Sequence, residues 1–459
     1  MKKLFIYIAT SLLLGSATQL FAQSDADLRS AIEKDRMSVD AQGKLITLTP
    51  TEHSAREQIY LDNRHFPEAR LHAQKILDVY PNDPAVPHAL FVMGRAYMWE
   101  REYSKAIPFF DRVAREFPET KDGREGLAFS GACRVRIGKN AEAAKVYEQY
   151  TIMYPDGERI ESAYLNVVDA LREIGKYDDA NAWVDKVVQT YPRTATETNA
   201  LHARLRMEIF RSHWPAAIAT ADTMLSGVRF TSSMTSIDEV KYLKALALDK
   251  SGDKVAARAV LASIPDTGKS YFGGLAADKV SLIGSQVKRT AQVLARAEVD
   301  FPAAFRTEVL QYSRSNGLDP RFILAIMKQE STFRPGVKSP SAARGLLQLT
   351  IDTASKYAKK AGFAGVQPDD LYDPRTNIAI GCEYIADLKD QFGGLYEAIA
   401  ASYNGGEDNV ARWLSRSKPK EPGVFASEVG FSETKNYVFK VMNNYRTYRD
   451  LYDENLVRR

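Results

Sequence analysis

The sequence predicts an all-α protein in two parts, an array of helical hairpins followed by a second helical domain. Three observations carry this expectation. Aromatic–proline pairs recur at Tyr80-Pro81, Phe117-Pro118, Tyr154-Pro155 and Tyr191-Pro192, each 37 residues after the last. Alanines keep the same period at Ala69, Ala106, Ala143, Ala180 and Ala217. The period then fades, and a new start follows near Phe301. A repeat of this length marks a stack of two-helix units, because one unit alone cannot bury its apolar face.

The chain opens with Lys2-Lys3, an apolar run from Leu4 to Leu14, and small residues up to Phe21-Ala22-Gln23. That order reads as a secretory signal peptide over 1–22, cut after Ala22, which places the mature protein outside the cytoplasm. Leu20 is larger than the residue usual three positions before a cut, so an uncleaved anchor helix is the alternative. No cysteine follows to carry a lipid. No other stretch is apolar enough to span a bilayer, and an integral membrane protein is not expected. The composition, 45% hydrophobic and 26% charged, suits a soluble chain with substantial cores. Its 62 basic and 58 acidic residues are mixed along the chain, and the formal charge of +4 falls to +2 without Lys2 and Lys3. A nucleic-acid partner is therefore not expected. Cys133 and Cys382 are too few for a disulfide framework and read as two buried free thiols, with one bridge between them in an oxidising compartment as the alternative.

Each periodic alanine opens an amphipathic segment such as "AIPFFDRVAREF". Each proline ends one, since the residue before a proline avoids the helical conformation. The units resemble the tetratricopeptide class of hairpin, slightly longer than its usual length of about 34 residues. They predict an α-solenoid over roughly 50–290, within a domain spanning 23–295. Two roles are open to it: binding along its concave side, or bracing the domain 296–459 that follows.

The second domain holds the chemistry. In "DPRFILAIMKQES" the positions Phe322, Ile323, Ile326 and Met327 have helical spacing, with Asp319 as N-cap and Pro320 in the first turn. Glu330 falls four after Ile326 and three after Met327, so it continues the apolar stripe. A carboxyl there should titrate nearer neutrality than usual, as a general acid requires. The plainer alternative is a helix-end ion pair with Arg334 or Arg344. "SPSAARGLLQL" adds Gly345, suited to close approach of a ligand to backbone, and Gln348, able to donate and accept hydrogen bonds. "ASYNGG" closes an apolar helix with Tyr403 and Asn404. All six histidines, His53, His65, His72, His88, His202 and His213, precede this domain. A Ser-His-Asp or Cys-His site is thereby excluded from it, and no metal-binding histidine spacing occurs.

The strings "KQES", "KSPSAARGLLQL", "LYDPRTNIAIGCEYIADLKDQFG", "ASYNGG" and "GFSETKNYVFKV" resemble, in order and spacing, the motifs of the soluble lytic transglycosylase family. The resemblance covers about 300–455, and the family's large periplasmic members also place a helical solenoid first. It implies a lysozyme-like α-helical catalytic domain with Glu330 as the single catalytic acid. It also implies Gln348, Tyr403, Asn404, Tyr437 and Ser339 at the saccharide, no metal and no cofactor. Three departures stand out. The usual Gly-Leu-Met-Gln reads Gly345-Leu346-Leu347-Gln348, the Met-Pro that follows reads Thr350-Ile351, and Ala-Tyr-Asn-Ala-Gly reads Ser402-Tyr403-Asn404-Gly405-Gly406.

What the resemblance implies is cleavage of the bond between N-acetylmuramic acid and N-acetylglucosamine in peptidoglycan. The substrate's N-acetyl group steadies the cationic centre, the C6 hydroxyl attacks, and a 1,6-anhydro end forms. The expected partners are peptidoglycan glycan strands, with cell-wall proteins on the solenoid, and the expected compartment is the periplasm. Two alternatives stay open: a hydrolytic muramidase in which Asp370 or Asp373 assists water, and a non-catalytic glycan-binding scaffold.

Overall fold

The computed structural model describes residues 26–282 and 300–459. The expected signal peptide and the 295/296 boundary lie outside them. The chain groups into two compact units, one running to Ala163 and taking in Val337–Arg344, the other comprising Tyr164–Gly336 and Gly345–Arg459. Secondary structure is helical throughout. Among the described residues, β pairing amounts to isolated bridges such as Lys338–Arg344.

In the first unit, α1 (26–37) precedes α2 (Pro50–Asp62), α3 (Phe66–Val79), α4 (Val86–Trp99), α5 (Tyr103–Glu116), α6 (Lys121–Arg136) and α7 (Asn140–Met153). From α2 to α7 each helix packs on the next. The predicted period is visible in the details. All five periodic alanines are fully buried. Tyr80, Phe117, Tyr154 and, in the second unit, Tyr191 are the residues at which helices end before proline. A second pairing accompanies it. A Cβ on Gly94 would lie 2.6 Å from the Phe110 ring, and one on Gly131 would lie 2.7 Å from Tyr147. Both members of the pair shift by one period. A further period on, the positions hold Val168 and Val184, both fully buried, so a small–large pair gives way to two residues of medium size.

The second unit continues from α8 (Ile160–Glu173), which begins just before it, through α9 (Tyr177–Thr190), α10 (Ala195–Phe210), α11 (Trp214–Gly227), α12 (Ile237–Ser251), α13 (Lys254–Ala262) and α14 (Tyr271–Leu282). After Asp300 come α15 (Arg306–Ser315), α16 (Pro320–Glu330), α17 (Ile351–Ala358), α18 (Pro374–Gln391), α19 (Tyr396–Gly405), α20 (Glu407–Arg416), α21 (Pro422–Glu428) and α22 (Ser432–Leu451). The core of this later part forms around α16, in which every residue from Phe322 to Met327 is fully buried. Helix α16 packs on α15 and α22, and α19 joins α22 to α18.

Helix α22 has two occupied faces. On one, Phe439 stacks on Tyr271 with ring centroids 5.0 Å apart, Asn443 donates to the Lys269 carbonyl and Arg446 pairs with Asp266 at 2.9 Å. On the other, Tyr445 donates to Asp319 and Asn444 to the Ala325 carbonyl. A seam of buried charge joins repeat helices to the later ones within this unit. Arg172 binds Glu428 in two-pronged fashion at 2.8 and 2.7 Å, and Arg206 reaches the same carboxylate at 3.0 Å. Arg416 meets Asp169 and Glu173, and Lys435 meets Glu239. Both cysteines are free and buried, as expected.

The first unit contains a buried relay with determinate tautomers. The Leu48 amide donates to His53 Nε2, so the proton of neutral His53 sits on Nδ1 and is donated to His72 Nδ1 at 2.8 Å. His72 therefore donates through Nε2 to Asp35 at 3.0 Å, and Tyr60 donates to the same carboxylate at 2.6 Å. Protonating either imidazole would set two donors against each other. Burial is the main cause holding His53 down to about 4 and lowering His72 as well. A histidine held below its unfolded value of 6.5 leaves the unfolded chain with more protons in that interval. Stability is thus full above about pH 6.5 and falls as pH drops toward 4. Denaturant unfolding of the full chain across this range should show the loss, and the double variant His53→Gln, His72→Gln should show a shallower dependence.

Candidate active site

Glu330 is placed by the way α16 starts and stops. The Asp319 side chain accepts from the Arg321 amide at 2.9 Å, Pro320 occupies the first turn, and the apolar run buries itself, leaving Glu330 as the last helical residue. Thr332 and Phe333 follow with φ of +51° and +62°, a left-handed pair that turns the chain sharply away. The Glu330 side chain is only partly exposed. Burial pushes its carboxyl up to about 7, while a hydrogen bond from the Tyr437 hydroxyl to Oε1, at 2.6 Å, acts in the opposite direction. The desolvation effect wins. The alternative of a helix-end ion pair has no counterpart in the geometry of Arg334, whose Nε donates to the Ser331 carbonyl. Arg344 donates to the Ala342 carbonyl.

The segment from Gly345 to Gln348 is held by hydrogen bonds from several sides. Asn377 is central. Its Oδ1 accepts from the Leu347 amide and its Nδ2 donates to the Leu371 carbonyl, both at 2.8 Å. The Tyr403 hydroxyl donates to the Leu347 carbonyl at 2.5 Å. Gln348 sits at φ +47° and its side-chain amide donates to the Gly345 carbonyl at 2.9 Å. Gly345 itself, expected to admit a ligand, has a structural reason instead: at φ +80°, a Cβ would lie 2.1 Å from the Leu371 carbonyl oxygen and 2.3 Å from Asn377 Nδ2. The close approach is to the protein's own backbone.

Burial raises the Tyr403 and Tyr437 hydroxyls well above their usual range, and both are near enough to Glu330 for its charge to add to that rise. Tyr384 packs against Tyr403 with ring centroids 5.2 Å apart. Glu330, Tyr437 and Tyr403 thus form one group, with Gln348 next to the Leu347 carbonyl that Tyr403 holds. Asn404 faces outward and accepts from the Thr434 hydroxyl at 2.7 Å, linking α19 to α22. Ser339 lies in the 337–344 segment, where its hydroxyl accepts from the Ala343 amide.

The departures from the family pattern have local explanations. Leu347 packs where a Cβ on Gly381 would come within 2.3 Å of it. Thr350 caps α17, accepting from the Thr353 amide. A Cβ on Gly405 would lie 2.9 Å from the Thr434 hydroxyl, so the glycine leaves room for the bond to Asn404. Asp370 accepts from the Gln367 amide, and Asp373 caps α18 by accepting from Thr376. Sequence reasoning missed Asn377. Its signal was an amide side chain in the first turn of the helix, directly before the apolar Ile378-Ala379-Ile380, where asparagine is unfavourable unless it bonds to backbone.

Residues 308–425 match the family described as the transglycosylase SLT domain, and 58–119 and 134–195 match the tetratricopeptide repeat. Helical repeats that match the tetratricopeptide model thus precede a helical segment that matches the SLT domain. The soluble lytic murein transglycosylase of Escherichia coli (strain K12) is 36% identical over 147 residues, which are 32% of this chain and 23% of that protein. The chain thus spans about a quarter of the length of that curated relative. Two solved structures share the fold across most of the chain. The 70 kDa soluble lytic transglycosylase of E. coli has a TM-score of 0.51 at 20% identity, covering 94% of this chain and 79% of that one. An inactive mutant of lytic transglycosylase Slt from Pseudomonas aeruginosa has a TM-score of 0.51 at 19% identity, covering 87% and 72%.

Removing the Asn377 amide would strand two buried backbone groups at once. Asn377→Ala should cost roughly 1–3 kcal/mol for each group left without a partner, read from denaturant unfolding. Asn377→Asp should fare better at low pH than at neutral pH, because only a protonated carboxyl can donate to the Leu371 carbonyl while accepting from the Leu347 amide.

Proposed function

We propose that this protein is a lytic transglycosylase that cleaves the β-1,4 bond between N-acetylmuramic acid and N-acetylglucosamine in peptidoglycan, leaving 1,6-anhydro ends, with Glu330 as the only acid and base. The supporting observation is a carboxyl raised to about 7, partly buried and hydrogen-bonded to a phenol. The match of 308–425 to the SLT domain and the resemblance to soluble lytic murein transglycosylases support the same reading.

In this mechanism protonated Glu330 gives its proton to the glycosidic oxygen as the bond to the anomeric carbon breaks. The substrate's N-acetyl oxygen covers that carbon from the other side. Ionised Glu330, steadied by the Tyr437 hydroxyl, then takes the C6 hydroxyl proton as that oxygen attacks. The carboxyl ends protonated, as it began, and no water is consumed. Tyr403 serves indirectly, by holding the Leu347 carbonyl and so the path of the chain into Gln348. Gln348, Asn404 and Ser339 are assigned to the saccharide by family resemblance.

A hydrolytic muramidase would require a second carboxylate free to activate water. Asp370 and Asp373 are engaged as turn and helix caps, which favours the transglycosylase. Mass spectrometry of products from purified sacculi separates the readings by one water per cleaved bond. We place the enzyme in the periplasm on the strength of the expected signal peptide, with glycan strands as substrate and cell-wall proteins as partners of the solenoid.

Glu330→Gln should fold as the parent does and lose activity by roughly 10²- to 10⁴-fold, the range for removing a positioned general acid. Sacculus digestion near the parent rate would refute the single-acid mechanism and, with it, the assignment of Glu330. The first step uses the protonated carboxyl, so kcat should fall as pH rises through about 7. The Tyr437 hydrogen bond favours the ionised form. Tyr437→Phe should therefore move that inflection upward and lower kcat.

A further inference from the structure

The partner of Glu330 stands on a helix whose beginning is poorly secured by its own sequence. Helix α22 starts at Ser432 with Phe431 in the N-cap position and no side-chain cap, after the exposed Gly430. An uncapped first turn leaves backbone donors unsatisfied and frays easily. Tyr437 lies just one turn further in. The chain on either side of this elbow is gripped by repeat helices of the same compact unit. Before it, Glu428 is held by Arg172 of α8 and Arg206 of α10. After it, Lys435 Nζ donates to Glu239 Oε1 of α12 at 2.6 Å, with side chains 3% and 0% exposed, and His202 of α10 approaches the same oxygen at 2.9 Å.

Lys435 and Tyr437 are two positions apart and project from opposite sides of α22. A shift of the first turns that lengthens the Lys435–Glu239 contact must also move Tyr437 relative to Glu330. We infer that Glu239 and Lys435 are positioning residues, through which the repeat helices set the Tyr437–Glu330 hydrogen bond. This rests on the proposed role of Glu330 for its kinetic consequence, although its geometric content does not.

The test uses the full chain. Glu239→Gln alone strands a buried ammonium and risks misfolding, so the paired variant Glu239→Gln, Lys435→Met, which leaves no unpaired charge at this contact, is the main probe. Glu239→Asp, which keeps the charge, serves as the conservative control. The groups facing Glu330 are Tyr437 and Tyr403, both unchanged in these variants. The expected result is a kcat lowered roughly 10- to 100-fold, the scale of a small misplacement remote from the chemistry, with KM nearly unchanged. The alkaline inflection should rise as in Tyr437→Phe, adding the paired change to Tyr437→Phe should have little further effect, and Glu239→Asp should recover most of the activity. A lowered melting temperature with kcat and inflection at parental values overturns the inference, as does a loss of kcat that multiplies with that of Tyr437→Phe. The Glu330 carboxyl is titrated in parallel by carbon-13 NMR, with Glu330→Gln to assign the signal. An unchanged titration in the paired variant overturns the positioning role. A shifted titration in a protein whose Glu330→Gln form still digests sacculi leaves the positioning role standing and removes the proposed mechanism instead.

Discussion

A carboxyl group that must hold a proton near neutrality, yet give it up on demand, needs surroundings that oppose its charge without abolishing it. The hydrogen bond between Tyr437 and Glu330 supplies the second half of that condition, and the fully buried run from Phe322 to Met327 supplies the first. These two demands fix the relation of α16 to α22. Much of the rest of the second unit follows from keeping those helices together. Tyr445 bonding to the N-cap carboxylate of α16 ties the far end of the same pair, so α22 is fastened to both termini of the helix that ends in Glu330.

The charged seam in the second unit is an expensive way to hold helices together. Taking Arg172, Arg206 and Glu428 out of water costs several kcal/mol per ion before any attraction is counted, and a well-packed apolar seam is often at least as stable. What ions provide is register. A bidentate guanidinium–carboxylate contact tolerates little sliding, whereas leucines packed on leucines tolerate a good deal. A seam that sets the position of α22 relative to α10 and α12 gains from that intolerance.

The period of 37 residues was legible because it is enforced twice, by alanines at close helix contacts and by prolines at helix ends, and both signals are single residue types at fixed offsets. The N-cap at Asp319 and the place of Glu330 on the apolar stripe of α16 were legible from residue type and helical spacing alone. Asn377, Lys435 and Glu428 were not, because what makes them matter is a partner 30 to more than 200 residues away in the chain. A buried Lys in an amphipathic helix reads as a solvated one until Glu239 is placed beside it. Gly345 was read as a site of close approach, and the neighbours that account for the glycine, Leu371 and Asn377, could not be named from the sequence, since a glycine records only that something is near.

The pairing of Gly94 with Phe110, and of Gly131 with Tyr147, carries a consequence for how such an array can change over time. The notch and the ring that fills it sit on the two helices of one hairpin, so copying or exchanging a whole hairpin keeps them matched. Exchanging one helix with its counterpart in the next hairpin, where the positions hold Val168 and Val184, would crowd the ring with a valine or leave the notch half filled. The hairpin, and not the helix, is therefore the smallest segment that recombination can move without damaging the interior. Gradual divergence within a hairpin, as at Val168 and Val184, has to pass through intermediates in which one side is briefly too large or too small.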